Sequence, residues 1–379
     1  MLSITEERFK KSAGTGVLAL GTDSRPRVSW IEKDRLFSVF PAEGPLVDLQ
    51  EFYHRVLRLA VRRRWKPRWL AFDPHPFFVS RQLVNDFQRT YFPRSRPAPV
   101  YHHQAHAAGG FWDIPQTEKF LAVTFDGTGF GQDGRVWGGE FFLCGSGGFR
   151  RMAHLAYQPL PGGDAAVLEP WRVAYAVLKN YKSPEADILF RKIPAQKRAV
   201  ISHMSRTGLG TVLTSSAGRL FDAAAALTGL KWKVRRQAEA AQSLQEAARR
   251  FSGSGRYRFP LRKEKGVLIM ETGAVLLKMA SDIVRGENSS QVARKFHLGL
   301  AQGVFEVCDR LAAATGILDI YLSGGVFLNT ILTGEVRALF EKSRCRLHIP
   351  SRAHITDEGI SRGQAAYCAF VARRQKSDV

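Results

Sequence analysis

Cysteine is scarce in this chain of 379 residues, and its four cysteines lie far apart without any Cys-x-x-Cys pair. Zinc fingers of the usual spacing and disulfide frameworks are therefore excluded. Long apolar runs are also missing, so no stretch is suited to span a bilayer. The first residues carry charges where a signal peptide has an apolar core. We therefore expect a cytoplasmic protein without a membrane partner.

Acidic residues are outnumbered by basic ones. The chain has 34 Asp and Glu and 56 Lys and Arg, which gives a net charge of +22. This excess permits binding to RNA or another acidic partner, although a solvated arginine-rich surface explains it more simply. Hydrophobic residues make up 45% of the chain and charged residues 24%, which is typical of a folded globular protein. A chain of this length suits two lobes better than one core.

The sequence contains neither a Walker phosphate loop nor a Gly-x-Ser-x-Gly nucleophile elbow. At residues 121–140 it contains instead a β-forming run that leads to Asp126 and then to a glycine-rich loop with Gly127, Thr128 and Gly129. Glycine lets backbone N–H groups approach an anion, and an acid at a strand end can reach a metal or a water. This pattern indicates a phosphate and metal loop, with an ordinary Asp-Gly hairpin as the alternative.

The same order of strand, polar turn, strand and strand occurs twice, beginning at Val17 and at Leu121, with a Gly-Thr pair at each first turn. This pattern predicts an internal duplication in which each copy opens a lobe. Strands elsewhere alternate with helices, so the fold class is α/β. We predict a leader at 1–12, an N-terminal lobe at 13–118 and a C-terminal lobe at 119–379. The second lobe carries insertions at about 150–215 and 230–265.

Histidines cluster at residues 102–106, where His102 and His106 are spaced to share one face of a helix and His103 points elsewhere. Two imidazoles at this spacing can bind one metal ion, although surface histidines are the plainer interpretation. Carboxylates that could complete such a site are Asp126 and Asp357, each beside a glycine after a strand. The alternative for Asp357 is the N-cap of the final helix.

A second strand–glycine–helix junction is predicted at Ser323, Gly324 and Gly325, where a nucleotide could lie against the backbone and the following helix N-terminus. Asp222 lies in an otherwise apolar helical stretch. It either binds a ligand hydroxyl group or occupies a partly exposed helix position, and the sequence does not distinguish these two.

Eight motifs occur in order and together closely resemble one family, the C-terminal, carbamoyl-transferring half of HypF, a maturation protein of nickel–iron hydrogenases. The motifs cover nearly the whole chain and are His102–His106, Phe125–Gly131, Trp137–Glu140, Pro159–Asp164, Glu169–Arg172, Thr214–Asp222, Leu322–Asn329 and Asp357–Gln364. The resemblance implies a two-lobed fold of the actin and sugar-kinase (ASKHA) type, which agrees with the duplicated strand units.

The resemblance also implies roles for single residues. It assigns a divalent metal, iron first and magnesium or zinc as alternatives, to four ligands: His102, His106, Asp126 and Asp357. ATP or carbamoyl adenylate would be held by the two glycine loops and two polar side chains: Gly127, Thr128, Gly129, Gly324, Gly325, Asp222 and Asn329. Asp164 and Arg172 would line the carbamoyl pocket, or serve only as turn and helix-start residues.

The activity implied by the resemblance is transfer of a carbamoyl group to the C-terminal cysteine of HypE, for synthesis of the hydrogenase cyanide ligand. The donor is carbamoyl adenylate, derived from carbamoyl phosphate and ATP. Full-length HypF carries acylphosphatase, zinc-binding and YrdC-like adenylating domains ahead of this half, and the sequence shows none of them. We therefore expect a truncated, standalone form, to which a separate YrdC-like protein would supply the adenylate.

One segment departs from the family pattern, because residues 236–241 read Arg-Gln-Ala-Glu-Ala-Ala where the family has Tyr-Glu-Gly-Gln-Ala-Ala. The loss or displacement of the acid puts nucleoside contacts at this point in doubt. Two alternatives remain: a tRNA threonylcarbamoyl transferase of the TsaD family, and a non-enzymatic HypF paralogue that binds HypE or nucleotide. The charge of +22 favours RNA, but the loop motifs do not, so we do not expect a nucleic-acid partner.

Overall fold

The computed structural model describes residues 2–8, 16–42, 48–115 and 118–371. Its first sheet has the strand order β1-β4-β3-β2-β5-β6. These strands are β1 (Leu2–Arg8), β2 (Val17–Ala19), β3 (Val28–Glu32), β4 (Arg35–Pro41), β5 (Trp69–Phe72) and β6 (Arg96–Pro99).

The second sheet has its strands later in the chain: β7 (Lys119–Phe130), β8 (Val136–Gly145), β9 (Gly148–Leu155), β10 (Gln158–Pro161), β11 (Thr211–Thr214), β12 (Leu261–Glu264), β13 (Val267–Met270), β14 (Asp319–Ser323) and β15 (Arg346–His348). The main path is β12-β13-β9-β8-β7-β14-β15, and the pair β10–β11 joins it beside β8.

Helices surround both sheets: α1 (Leu49–Arg62), α2 (Val79–Tyr91), α3 (His102–Ala108), α4 (Gly110–Asp113), α5 (Asp164–Leu168), α6 (Trp171–Asn180), α7 (Glu185–Leu189), α8 (Ala195–Thr207), α9 (Ala217–Leu227), α10 (Glu239–Arg249), α11 (Gly273–Val284), α12 (Ser289–Thr315), α13 (Thr330–Glu341), α14 (Arg352–Ile355) and α15 (Ile360–Phe370). Short 3-10 turns span Gly325–Leu328 and Asp357–Gly359. Among the helices of the described ranges, none is both long enough and apolar enough to cross a membrane.

The two sheets share a strand order, as the duplicated sequence pattern predicts. In each sheet an antiparallel meander, β2-β3-β4 or β7-β8-β9, continues from its first strand into two parallel strands, β5-β6 or β14-β15. The predicted mixed α/β class is therefore confirmed.

The prediction of a loose leader is wrong for residues 2–8. These residues form β1, which pairs antiparallel with β4 from Leu2 opposite Pro41 to Arg8 opposite Arg35. The alternation of apolar Leu2 and Ile4 with polar neighbours suits an edge strand, and β4 offers the free backbone groups that pair with it. The remainder of the predicted leader lies outside the described residues.

Helices α3 and α15 pack between the two sheets and bring them together. Ala105 of α3 and Ile360 of α15 belong to an apolar cluster with strands of the first sheet. Ala108 of α3 belongs to a cluster with strands of the second sheet. The two helices approach so closely that a Cβ at Gly363 would lie 1.9 Å from the carbonyl oxygen of Ala105. The histidine motif therefore lies at the junction of both sheets.

Strand β7 is longer than the sequence pattern predicts. The strand was expected to end at Phe125 and to give way to a glycine loop, but it continues to Phe130. Its pairing with β8 shifts in register between Phe125 and Gly129, which is a bulge. Glycines tolerate this irregular backbone, and the bulge exposes the residues at 126–128 on the side of α3 and the Gly324 turn.

Candidate metal and nucleotide site

The four predicted metal ligands come from three separate parts of the chain and meet at one point. His102 begins α3, and His106 follows one helical turn later. Asp126 lies in the bulge of β7, and Asp357 begins the 3-10 turn that precedes α15. One potential ligand atom from each residue lies within 4.8 Å of the other three. The structure thus assembles the set that the sequence motifs indicate.

The distances within this cluster suit a shared cation. His102 Nε2 lies 3.5 Å from Asp126 Oδ2 and 3.6 Å from Asp357 Oδ1. His106 Nε2 lies 3.8 Å and 3.6 Å from the same two oxygens. These separations are long for hydrogen bonds, whereas ligands around a tetrahedral ion with bonds of about 2.1 Å lie roughly 3.4 Å apart. Both Nε2 atoms are buried without a hydrogen-bond partner among the described residues, so a cation would satisfy them.

Opposite charges in the cluster stabilise one another. Burial disfavours a charged His102, but the carboxylates of Asp126, Asp357 and Asp73 outweigh burial and raise its pKa well above the ordinary value. The pKa of His106 is raised in the same way, against burial, by Asp126 and Asp357. Burial opposes ionisation of Asp126, yet the two imidazoles lower its pKa well below the usual range. The site therefore favours two carboxylates with a positive charge between them, which a divalent cation provides.

Two residues hold the remote nitrogens of these histidines, and the sequence motifs predicted this role for neither. His102 Nδ1 lies 3.1 Å from Oδ2 of Asp73, which follows β5. His106 Nδ1 lies 3.1 Å from Oγ of Ser323, the last residue of β14. Asp73 has no sequence signal beyond following a buried strand, whereas Ser323 lies in the motif Leu322–Asn329.

His103 is not one of the four clustered residues, and it is not on the surface. It is fully buried, and a Cβ at Gly129 would lie 2.5 Å from its Cε1 atom. Burial, together with the neighbouring His102, lowers its pKa well below the ordinary value, so the ring is neutral. Gly129 is thus needed for close packing of β7 on α3.

The two predicted glycine loops lie against each other. Gly324 has φ +101°, and a Cβ there would lie 2.1 Å from the carbonyl oxygen of Phe125, so only glycine is compatible with this approach. Gly325 donates its backbone N–H to Asp126 Oδ1 at 3.1 Å. No atom lies within 4 Å of the position a Cβ would take at Gly127, and Thr128 is exposed. Open space therefore borders the backbone beside the cluster.

Two residues predicted to contact nucleoside are held by the protein itself. Asp222 is buried and pairs with Arg219, whose Nη2 lies 2.6 Å from Oδ2. Asn329 caps α13 by accepting backbone N–H groups from Ile331 and Leu332, and its Nδ2 lies 2.9 Å from His297 Nε2. Asn329 therefore has a clear structural role, and its contact with nucleotide stays a prediction.

The two residues predicted to line a carbamoyl pocket are not members of the histidine–aspartate cluster. Arg172 Nε pairs with Glu169 Oε2 at 2.5 Å, one turn earlier on the chain. Asp164 is exposed at the first residue of α5. A role for Asp164 and Arg172 at a carbamoyl pocket stays a prediction.

The motif around Glu140 has a supporting function that the sequence did not reveal. Glu140 is fully buried and accepts hydrogen bonds from the backbone N–H groups of Gly138 and Gly139 at 3.2 Å. It also accepts from Ser215 Oγ and from Arg151 Nε, each at 2.5 Å. This network ties β8 to β9 and to the start of α9 directly beside the bulge of β7.

The segment that departs from the family pattern has an unusual backbone. Ala238 has φ +63°, a left-handed conformation that favours glycine. The Glu239 carboxylate turns back to the preceding loop and lies 2.8 Å from both Lys231 Nζ and the backbone N of Arg235. Glu239 is therefore used locally to stabilise the start of α10.

The fold and site together define an α/β protein with two topologically repeated sheets and a buried histidine–aspartate cluster between them. Residues 122–364 match the family "Carbamoyltransferase, Kae1-like Domain, second subdomain", and residues 12–113 match "HypF Kae1-like domain". The chain belongs to this family of HypF Kae1-like carbamoyltransferase domains.

Similar proteins cover this chain well but differ in length. A carbamoyltransferase HypF homolog of Cupriavidus necator is 31% identical over 81% of this chain and 78% of its own length. Carbamoyltransferase HypF of Rhizobium leguminosarum is 31% identical over 83% of this chain but only 40% of its own. A crystal structure of full-length HypF in the phosphate- and nucleotide-bound form has a TM-score of 0.86 at 26% identity, and covers 96% of this chain and 47% of that one. The chain thus spans less than half of these longer HypF proteins.

Proposed function

We propose that this protein is a carbamoyltransferase that acts in hydrogenase maturation and transfers carbamoyl from carbamoyl adenylate to the C-terminal cysteine of HypE. The observation that carries the proposal is the buried cluster of His102, His106, Asp126 and Asp357, in a chain of the HypF carbamoyltransferase family. The two imidazoles with unpartnered Nε2 atoms suit a metal centre better than a structural core.

The architecture that we propose is the actin and sugar-kinase (ASKHA) type, with lobes at 13–118 and 119–379. Its support is the repeated strand order of the two sheets and the position of α3 and α15 between them. The two matched family segments fall one in each lobe and support the same division. Insertions at about 150–215 and 230–265 would then belong to the second lobe.

The metal ligands in this proposal are His102, His106, Asp126 and Asp357. A bound divalent ion, with iron as the first candidate, would supply Lewis-acid polarisation of a carbonyl oxygen. The protein contributes a fixed set of two neutral nitrogen donors and two carboxylates, so its charge balances a dication. It also buries the histidines, which limits access of water to the donors.

The nucleotide would lie along the two facing glycine segments, with phosphates near Gly127–Gly129 and Gly324–Gly325. Backbone N–H groups and open space beside Gly127 support this placement. Asp222 and Asn329 would lie on the nucleoside side, where Asp222 would exchange part of its ion pair with Arg219 for a ligand hydroxyl group. Asp164 and Arg172 would line the pocket at the carbamoyl end of the donor.

In the reaction, the acceptor thiolate would attack the carbamoyl carbon. A carbon–sulfur bond forms, the bond from that carbon to the adenylate oxygen breaks, and AMP leaves with the negative charge. The four cysteines of this chain are all buried, so none of them offers an accessible thiolate for the step. The sulfur therefore comes from the partner, and this protein positions the donor.

The proposal is tested by incubating the protein with HypE and either preformed carbamoyl adenylate or ATP, carbamoyl phosphate and a YrdC-type enzyme. Mass spectrometry of HypE should show one added carbamoyl group on its C-terminal cysteine. HypE without that cysteine is the control and should remain unmodified. Absence of the mass gain with preformed adenylate would overturn the transferase proposal, and modification of tRNA instead would favour the TsaD-type alternative.

A further inference from the structure

We propose that Asp73 and Ser323 are positioning residues that fix both histidines of the cluster with Nε2 towards a bound metal. This inference rests on the proposed metal site and adds to it the residues that determine its geometry. Each acts through an imidazole ring and touches neither substrate nor ion.

The contact of Asp73 with His102 is buried and directional. Asp73 is 1% exposed, and its Oδ2 lies 3.1 Å from His102 Nδ1. Its second oxygen, Oδ1, accepts the backbone N–H of His75 at 3.0 Å, which holds the carboxylate in place. A carboxylate can only accept, so a His102 ring that binds a metal carries its proton on Nδ1 and keeps the Nε2 lone pair for the ion. Asp73 thus selects the metal-binding tautomer.

Ser323 makes the equivalent contact with His106 from the other sheet. Its side chain is fully buried, and its Oγ lies 3.1 Å from His106 Nδ1. A hydroxyl group can donate or accept, so Ser323 orients the ring but selects the tautomer less strongly than a carboxylate does. We therefore expect a smaller effect from Ser323 than from Asp73.

The two aspartate ligands are held in a similar way. Asp126 Oδ1 accepts the backbone N–H of Gly325 at 3.1 Å, and Asp357 Oδ2 accepts the hydroxyl of Ser24 at 2.7 Å. In each carboxylate the other oxygen is the one that faces the imidazoles. All four ligands thus present one atom to the cluster and have another atom fixed from outside.

These four outer partners come from both halves of the structure. Asp73 follows β5, and Ser24 lies between β2 and β3, in the first sheet. Ser323 ends β14, and Gly325 begins the 3-10 turn after it, in the second. A correctly shaped site therefore requires both sheets to be in place, and metal affinity should report on their relative arrangement.

Metal affinity of the purified full chain tests this inference. Outer partners of metal ligands commonly contribute roughly 10- to 100-fold to metal affinity. We expect Asp73→Asn and Asp73→Ala to weaken binding of Fe²⁺ or Mn²⁺ by about this factor, Ser323→Ala less, and the exposed Ser24→Ala least. Isothermal titration calorimetry under anaerobic conditions measures the dissociation constants.

Matched controls separate positioning from general loss of stability. Ser38→Ala removes a buried serine contact with Ser29 that involves none of the four ligands, and it should leave metal affinity unchanged. Thermal melting in chelator shows whether each variant is folded before metal is added. A variant with an unchanged melting temperature and weakened binding supports positioning.

A second measurement reads the ligating nitrogen directly. Nitrogen-15 NMR of the histidine rings with diamagnetic Zn²⁺ bound should show His102 protonated at Nδ1 and ligated through Nε2, and Asp73→Asn should shift it towards a mixture. Unchanged affinity and an unchanged tautomer in Asp73→Asn would overturn the inference while the metal site stands. Failure of the wild type to bind any divalent metal would instead overturn the proposed metal site itself.

Discussion

His297 should make the free energy of unfolding decrease as the pH falls, over a pH window that follows from its pKa. The residue is fully buried in α12, and its Nδ1 donates to the carbonyl oxygen of Ala293 at 2.7 Å. Its Nε2 accepts from Asn329 Nδ2 at 2.9 Å, while the Asn329 Oδ1 atom is occupied by the cap of α13. Protonation would place an N–H against an amide donor, so the neutral ring belongs to the folded state.

Burial is the main cause that lowers the pKa of His297 from 6.5 to about 4; the bond to Ala293 opposes the shift and Arg294 adds to it. The unfolded chain therefore takes up this proton near pH 6.5 and the folded chain only near pH 4. The stabilisation is complete above pH 6.5 and is lost as the pH falls towards 4. At about 1.4 kcal/mol per pKa unit, the loss is roughly 3 kcal/mol.

Urea unfolding of wild type and His297→Gln at several pH values between 7.5 and 4 measures this loss. Other titrating groups are common to both proteins, so the difference between the two curves isolates His297. We expect wild type to lose about 3 kcal/mol more than the variant across the window. Parallel curves would refute the assignment of a neutral, buried His297.

Three further perturbations have defined outcomes. His102→Ala should weaken metal binding by more than the roughly 10- to 100-fold expected for an outer partner, and it should abolish HypE carbamoylation. Elemental mass spectrometry measures the bound metal, and retained metal would refute the ligand assignment. Ala238→Gly should raise the free energy of unfolding by about 1 kcal/mol, because φ +63° strains alanine, and a lower stability would contradict this. Arg362→Met should lower it by about 3 kcal/mol, since Arg362 is 6% exposed and pairs with Glu7 and Asp113. The exposed Arg346, paired with Asp319, is its control, and Arg346→Met should cost less than about 1 kcal/mol in the same urea titration.

Part of the site could be predicted because its signals are local. His102 and His106 are one helical turn apart, so their shared face follows from helix geometry alone. Gly324, between strand and helix, is required by its positive φ and by the approach of Phe125. Such features depend on backbone conformation over a few residues, which the residue types themselves restrict.

Other features could not be predicted because they depend on contacts between distant segments. Residues 2–8 became a strand only because β4 offered an edge to pair with. Asp222, which looked available for a ligand, is engaged by Arg219 inside the packed α9. Strand β7 extended through its glycines because β8 continued to pair with it after the bulge.

The sequence by itself determined the repeated strand units, the mixed α/β class and the shared face of His102 and His106, since each is encoded in short-range spacing, whereas the set of four ligands followed from the family resemblance. Only the tertiary structure decided which atoms of those side chains face one another and which are held from outside. Asp73 reaches His102 across 29 residues and Ser323 reaches His106 across 217. Hydrogen bonds over such separations form only when both sheets pack on α3, and no local pattern records them.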